Sequence, residues 1–318
     1  MITTKYELYP PNPFSNFNTC YNVILKFYLR LRKCFPSKTF LNQKLKNGYV
    51  PVMKTFALKK VPAAWNYLHY RLVANTAHQI HSPFVFDLYN NVIKDATPYY
   101  AFRVIESIRA KMLLSGEKIV VHDFGTGRSA NPEEKRSLQF IASHYVKPIK
   151  YAQLLFRLVN EFLPIYILEL GTSLGITTMY LASPLSSAKV ITLEGCPNTA
   201  AVAKKNFRDA QVKNIEQIIG EFSVSLPEAL SKMPRLDFVY FDGNHKKDAT
   251  LDYFFRCLPK HHEQTVFVFD DIHWNLEMTE AWKIIQQHEA TTLTIDLFSI
   301  GIVFFRKGIP KQHFVLKF

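Results

Sequence analysis

The chain has 318 residues, 48% of them apolar and 20% charged, a balance that sets aside disordered and fibrous polymers and leaves room for one large α/β domain with accessory segments. No apolar run reaches bilayer-spanning length, since the nearest, residues 21–35, is broken by Lys26, Arg30, Arg32 and Lys33. Prolines at 10, 11 and 13 stand where a secretory signal would need an apolar core. The net charge of +13 invites a nucleic-acid partner, but residues 1–60 hold eleven Lys/Arg against the single acid Glu7, which leaves the remainder only about +3 and does not favour that partner.

Three regions follow in chain order. Residues 1–52 read as a basic, poorly ordered leader, because their apolar residues lack a period that could bury one face. Residues 53–150 read as a mainly helical accessory or lid region with one strand-like run at 118–123, and residue 53 opens a segment resembling a natural protein start. Residues 151–318 alternate apolar strand-like runs with helical stretches, the pattern of a parallel sheet with crossover helices. Strands are expected at 165–170, 189–193, 215–219, 236–241 and 265–269, with helices from 176 and at 198–210, 223–233, 247–258 and 278–288. Runs at 291–297 and 300–306 lie too close for a helix between them and should form an antiparallel hairpin. Cys20, Cys34, Cys196 and Cys257 form no metal-type spacing, so a reducing, cytoplasmic setting is expected.

The chemistry gathers at the carboxyl ends of the expected strands. In "ILELGTSLGITT", Gly171 permits a sharp turn and Gly175 close packing of the next helix, so the backbone of Thr172 and Ser173 can approach a cofactor. Glu169 is placed to meet a cationic group, and Glu194, 23 positions after Gly171 at the end of the next strand, to accept ribose hydroxyls. A glycine turn with a surface acid is the plainer alternative. The ordered set of acid, glycine, glycine and second acid favours a nucleotide-type cofactor.

The E-L-G-T-S-L-G loop, "ITLEG", "IIGEF" and "LDFVYFDGNH" together resemble the catechol-type and macrolide/sugar-type O-methyltransferases, a metal-using branch of the class I methyltransferases, over about residues 150–306. The resemblance implies a Rossmann-like α/β fold with a seven-stranded sheet in the order 3-2-1-4-5-7-6, its last strand antiparallel. It implies S-adenosylmethionine as cofactor, with Gly220, Glu221 and Phe222 near the adenine and Asp242 among the cofactor-binding residues. It further implies a metal set of Asp242, Asp270 and Asp271, with Mg²⁺ as the candidate ion. Adjacent strand ends about 4.8 Å apart can present oxygens to one cation, and three crowded carboxylates need neutralising. In the alternative reading Asp242 begins a turn and Asp271 caps a helix.

The pattern departs from both branches. Sugar-type members carry Asp-Gly-Asp where this chain has Asn244, and the catechol-type lysine position is His245. A histidine suits general-base work, so His245 is the expected base, with Asp248 a fallback better read as a helix-start acid. The expected reaction is methylation of a small-molecule hydroxyl. Rival readings are an RNA methyltransferase acting on ribose or another non-amino target, a silent adenosyl-binding module and a nucleotide-dependent oxidoreductase. The segment 120–129 reads as a turn on the substrate side, and His78 and His81 as part of a packed segment. Trp274 is expected to line the acceptor pocket and Trp282 to lie in the core.

Overall fold

The computed structural model describes residues 61–122 and 133–318. The expected leader, 1–52, and most of the turn at 120–129 lie outside the described residues. The described residues form one unit.

Its first part runs α1 (Val61–Val73), α2 (Pro83–Leu88), a π-helical turn (Tyr89–Ile93), α3 (Tyr100–Leu113), β1 (Lys118–His122), β2 (Glu133–Ser137), α4 (Leu138–His144) and α5 (Ile149–Phe162). Ser82 caps α2, accepting from the backbone N–H of Val85, and Pro83 opens the first turn, where its missing N–H costs nothing. Ile80, Val85, Leu88, Val92 and Ile93 are buried with Leu154, Leu155 and Leu158 of α5, while His78 and His81 are exposed, so this segment is packing rather than a histidine pair around an ion. The strand β2, antiparallel to β1, was not legible because its residues, Glu-Glu-Lys-Arg-Ser, carry no apolar alternation.

Five βα units follow: β3 (Tyr166–Leu170) and α6 (Ile176–Ala182), β4 (Lys189–Glu194) and α7 (Pro197–Asp209), β5 (Ile215–Ile219) and α8 (Phe222–Ser231), β6 (Phe238–Phe241) and α9 (Lys247–Cys257), β7 (Val266–Asp270) and α10 (Leu276–Gln287). The strands β8 (Leu293–Asp296), β9 (Ile300–Phe304) and β10 (Gln312–Val315) complete the chain. The sheet order is β10-β8-β9-β7-β6-β3-β4-β5, and β9 pairs antiparallel with both β7 and β8. Counted from β3, this is the expected 3-2-1-4-5-7-6 arrangement with its seventh strand reversed.

The expected count of seven is corrected to eight. The additional strand, β10, runs parallel to β8 along the sheet edge. Its four residues have too little alternation to be read alone. They are fixed by distant partners: Asn75 donates its N–H to the Val315 carbonyl at 2.8 Å, and the Tyr70 hydroxyl donates to the Leu316 carbonyl at 2.6 Å.

Alternate strand residues bury opposite faces, as the two-residue period requires. Ile167, Tyr240, Val266, Val268 and Ile302 pack beneath α5 and the 80–93 segment. Leu168, Leu170, Val239, Phe241, Phe267 and Phe269 pack against α8, α9 and α10. Trp282 is buried and rests on Gly301, where any side chain would collide with the indole. With both faces covered, the free carboxyl ends of β3, β4, β6 and β7 are where a ligand can reach the sheet.

Candidate active site

The β3–α6 turn is built on left-handed backbone, with φ of 109° at Gly171, 48° at Ser173 and 77° at Gly175. A Cβ at Gly171 would run into the carbonyl of Asp242, and one at Gly175 into the ring of Phe207, so both glycines serve close approach as well as turning. The turn hooks onto β4: the N–H groups of Gly171 and Thr172 donate to the Leu193 carbonyl at 3.0 and 3.1 Å. The Glu194 carboxylate accepts from the N–H of Ser173 at 2.8 Å and of Cys196 at 2.9 Å. Burial raises the Glu194 pKa, and these backbone donors offset only part of the rise.

Glu169 lies beneath the turn, fully buried. Its Oε2 accepts from the hydroxyls of Thr178 and Thr192, the latter at 2.7 Å, and Thr192 is in turn 2.6 Å from Thr172. Its Oε1 has no hydrogen-bond partner. Burial pushes the Glu169 pKa up to about 8, against the two threonine hydrogen bonds. This buried acid with one unpartnered oxygen has the chemistry to receive a cationic group, and Glu194 with the turn backbone has that of a polyol cradle. The donor set therefore fits an adenosyl cofactor bearing an ammonium group.

The other expected contacts are contiguous with this turn. Phe222 opens α8 and covers Gly243, where a Cβ would strike its ring, and it meets Tyr253 edge-on with centroids 5.6 Å apart. Gly220 has φ of 147° and open space around it, and Glu221 is exposed at the start of α8.

Next to the turn lies a cleft of about 280 Å³ lined by residues that include Tyr145, Lys147, Asp242, His245, Asp271 and Trp274. Asp242 follows β6, Asp270 ends β7, and Asp271 follows it with φ of 52°. Asn244 has the same φ of 52°; Asn and Asp tolerate this region better than other non-glycine residues. His245 Nε2 lies 3.7 Å from Asp242 and 4.0 Å from Asp271, so the structure gathers all four expected residues. Trp274, 52% exposed, forms part of the rim, and Asp248 lies exposed in the first turn of α9.

Lys147 is the residue that the sequence reading missed. It immediately precedes Pro148, the N-cap of α5, and is 6% exposed. Its Nζ donates to Asp270, to Asp271 at 3.3 Å and to Ser299 at the β8–β9 tip at 3.0 Å. Burial by itself would lower its pKa, but the charges of Asp270, Asp271 and Asp242 reverse this and hold it above the usual lysine range. Burial and the repulsion of Asp270 push Asp242 well above the ordinary carboxylate range. Burial also works to raise Asp271, yet Lys147, then His245, hold it below. No local motif marks Lys147, because its three partners lie 123 to 152 positions away in sequence.

The carboxylates as arranged do not fit the expected Mg²⁺. The ammonium of Lys147 already bridges Asp270 and Asp271, and among the described residues no group of three or more His, Cys, Asp or Glu side chains is set to hold an ion.

A methyltransferase-domain family matches residues 168–272, from β3 to just past β7. The human transmembrane O-methyltransferase is 38% identical over 86 residues, covering 26% of this chain and 29% of that protein. The Aspergillus flavus O-methyltransferase imqG is 29% identical over 126 residues, covering 38% of this chain and 48% of that protein. The matches span less than half the length of these curated relatives. Among the described residues no helix is long and apolar enough to cross a membrane. Among solved structures, the S-adenosylhomocysteine-bound Podospora anserina methyltransferase PaMTH1 aligns with a TM-score of 0.49 and 13% identity, over 72% of this chain and 97% of that one. The Bacillus cereus O-methyltransferase aligns with a TM-score of 0.46 and 19% identity, over 68% and 94%. Residues 168–272 of this chain thus match a methyltransferase domain, and the strand order around them is the one expected of the Rossmann-like class I fold.

Proposed function

We propose that the protein is an enzyme that transfers the methyl group of S-adenosylmethionine to a hydroxyl of a small molecule. The observation that carries this is the joining of two half-sites: the Gly171–Gly175 turn tied to Glu194, and the cleft around His245 directly beside it across the Gly171–Asp242 contact. Relatives named as O-methyltransferases favour oxygen as the acceptor atom.

In this reading the turn backbone, Glu194 and the unpartnered oxygen of Glu169 hold the cofactor, with Gly220, Glu221, Phe222 and Asp242 around it. When bound, the cofactor supplies an electrophilic methyl group on a sulfonium. Methyl transfer is an in-line displacement, so the protein's task is to hold the acceptor oxygen at attack distance and remove its proton. His245 takes that proton at Nε2, steadied between Asp242 and Asp271. Trp274 and Tyr145 wall the acceptor side, which gives the 53–150 region, through its last helix and the loop after it, a place over the acceptor rather than the cofactor. The buried, unpaired thiols of Cys196 and Cys257 suit a reducing, cytoplasmic setting.

The test is calorimetric titration with S-adenosylhomocysteine. The expected result is saturable one-site binding, weakened about tenfold or more in Glu194→Ala, equivalent to about 1.4 kcal/mol or more. NAD(H) binding in its place, or unchanged affinity in a folded Glu194→Ala protein, would refute the assignment.

A further inference from the structure

We propose that Lys147 is the resident cation of the acceptor site, occupying the position between the strand-end carboxylates that a divalent ion would otherwise take and thereby excluding such an ion. This rests on the methyltransferase reading for the site's role, but not for its measurement.

The geometry has three parts. The Lys147 ammonium is bound on two sides by Asp270 and Asp271 and on a third by the Ser299 hydroxyl, which uses all three of its N–H donors. The Ser299 hydroxyl also donates to Asp271 at 3.3 Å, so the β8–β9 tip closes over the pair. Finally, the lysine is held from behind. Its backbone carbonyl accepts from Arg109 of α3 at 2.9 Å, and its ammonium lies 5.3 Å from the centre of the Tyr151 ring. A surface lysine would swing away from an incoming ion. This one is buried, fully hydrogen-bonded and anchored at its backbone, so an ion could enter only by placing two positive charges beside a third or by expelling the ammonium from its carboxylates.

One ammonium is also a chemically sufficient substitute for part of a metal's work. It offsets one of the negative charges of Asp270 and Asp271 and holds the two side chains in register with the β8–β9 tip. Unlike a metal, it has no vacant coordination position at which an acceptor oxygen could be chelated. Lys147 is therefore a positioning residue for Asp270 and Asp271, and proton removal falls to His245.

The experiment is Mn²⁺ titration of the full-length protein followed by electron paramagnetic resonance of the free ion, with S-adenosylhomocysteine titration on the same samples. The wild type should show no Mn²⁺ site tighter than about 1 mM. Lys147→Ala, which leaves the carboxylates without their cation, should gain an Mn²⁺ site at least tenfold tighter and melt higher when Mn²⁺ is added. Lys147→Arg keeps the charge and should continue to exclude the ion. A micromolar Mn²⁺ site in the wild type that is lost in Asp271→Asn would overturn the proposal, as would a folded Lys147→Ala that gains no affinity. Should Lys147→Ala fail to fold, the wild-type titration decides alone. S-adenosylhomocysteine binding is read separately, so its failure would refute the cofactor assignment and leave the cation result standing.

Discussion

Substituting Glu169 by Gln asks whether a buried acid beneath the cofactor turn keeps its proton. With a folded-state pKa of about 8 against about 4.5 when unfolded, Glu169 is protonated in the folded protein at neutral pH. The sign follows from linkage: a group whose folded pKa is raised has its stability contribution in full below the unfolded value and loses it as pH rises through the folded one. For this acid the window is pH 4.5 to 8. Integrating the two titrations gives a loss of about 3–4 kcal/mol between pH 5 and pH 8, an upper bound because local relaxation and water entry soften it. Gln has nearly the size of the protonated acid. Its oxygen can accept from Thr178 and Thr192 as Oε2 does, and its amide occupies the place of the partnerless Oε1. Glu169→Gln should therefore match the wild type near pH 5 and exceed it by up to that amount at pH 8. Urea unfolding at pH 5, 6, 7 and 8 measures the difference, and every other titrating group cancels between the two proteins. Parallel profiles would show that the folded acid ionises near its unfolded pKa and would refute the raised value.

Gly171→Ala combines a φ of 109° with a collision against the Asp242 carbonyl, so it should lower stability by about 2–4 kcal/mol in denaturant unfolding; a loss under about 0.5 kcal/mol would mean that the turn relaxes freely. This makes it a fold-destabilising change as well as a binding one, so Glu194→Ala is the cleaner cofactor probe. Replacing Arg157 by Met should cost about 2 kcal/mol or more, because its guanidinium donates to the Val92 carbonyl at 2.7 Å in the π-helical turn and the buried acceptor would be left bare. An unchanged melting temperature would indicate that water takes over. Trp274→Ala should raise KM for the acceptor severalfold with little effect on S-adenosylhomocysteine affinity, and an equal loss of both would move the tryptophan to the cofactor side.

By itself the sequence determined the repeating units of the sheet and the cofactor turn. Both are local: the buried strand Tyr166–Leu170 is apolar but for Glu169, and Gly171 and Gly175 stand where the turn needs positive φ, so spacing alone locates them. The same holds for the β8–β9 hairpin, since Leu297, Phe298 and Ser299 leave no room for a crossover. Even the gathering of Asp242, Asp270 and Asp271 followed from adjacent strands ending at one edge. Tertiary structure decided what could not be spaced. The strand β10 exists because β8 offers a free edge and Asn75 and Tyr70 lie behind it. The sequence offers Glu169 as an acid placed to meet a cationic group, and only the closure of α6 and β4 over it makes it a buried one with a raised pKa. Lys147 is an unremarkable basic residue before a proline until the fold brings it, just ahead of α5, to the carboxyl end of β7 and the β8–β9 tip. There Asp270 is buried and Asp271 half-buried, so one ammonium between them relieves part of their repulsion, and the charge on that residue determines which cation the site contains.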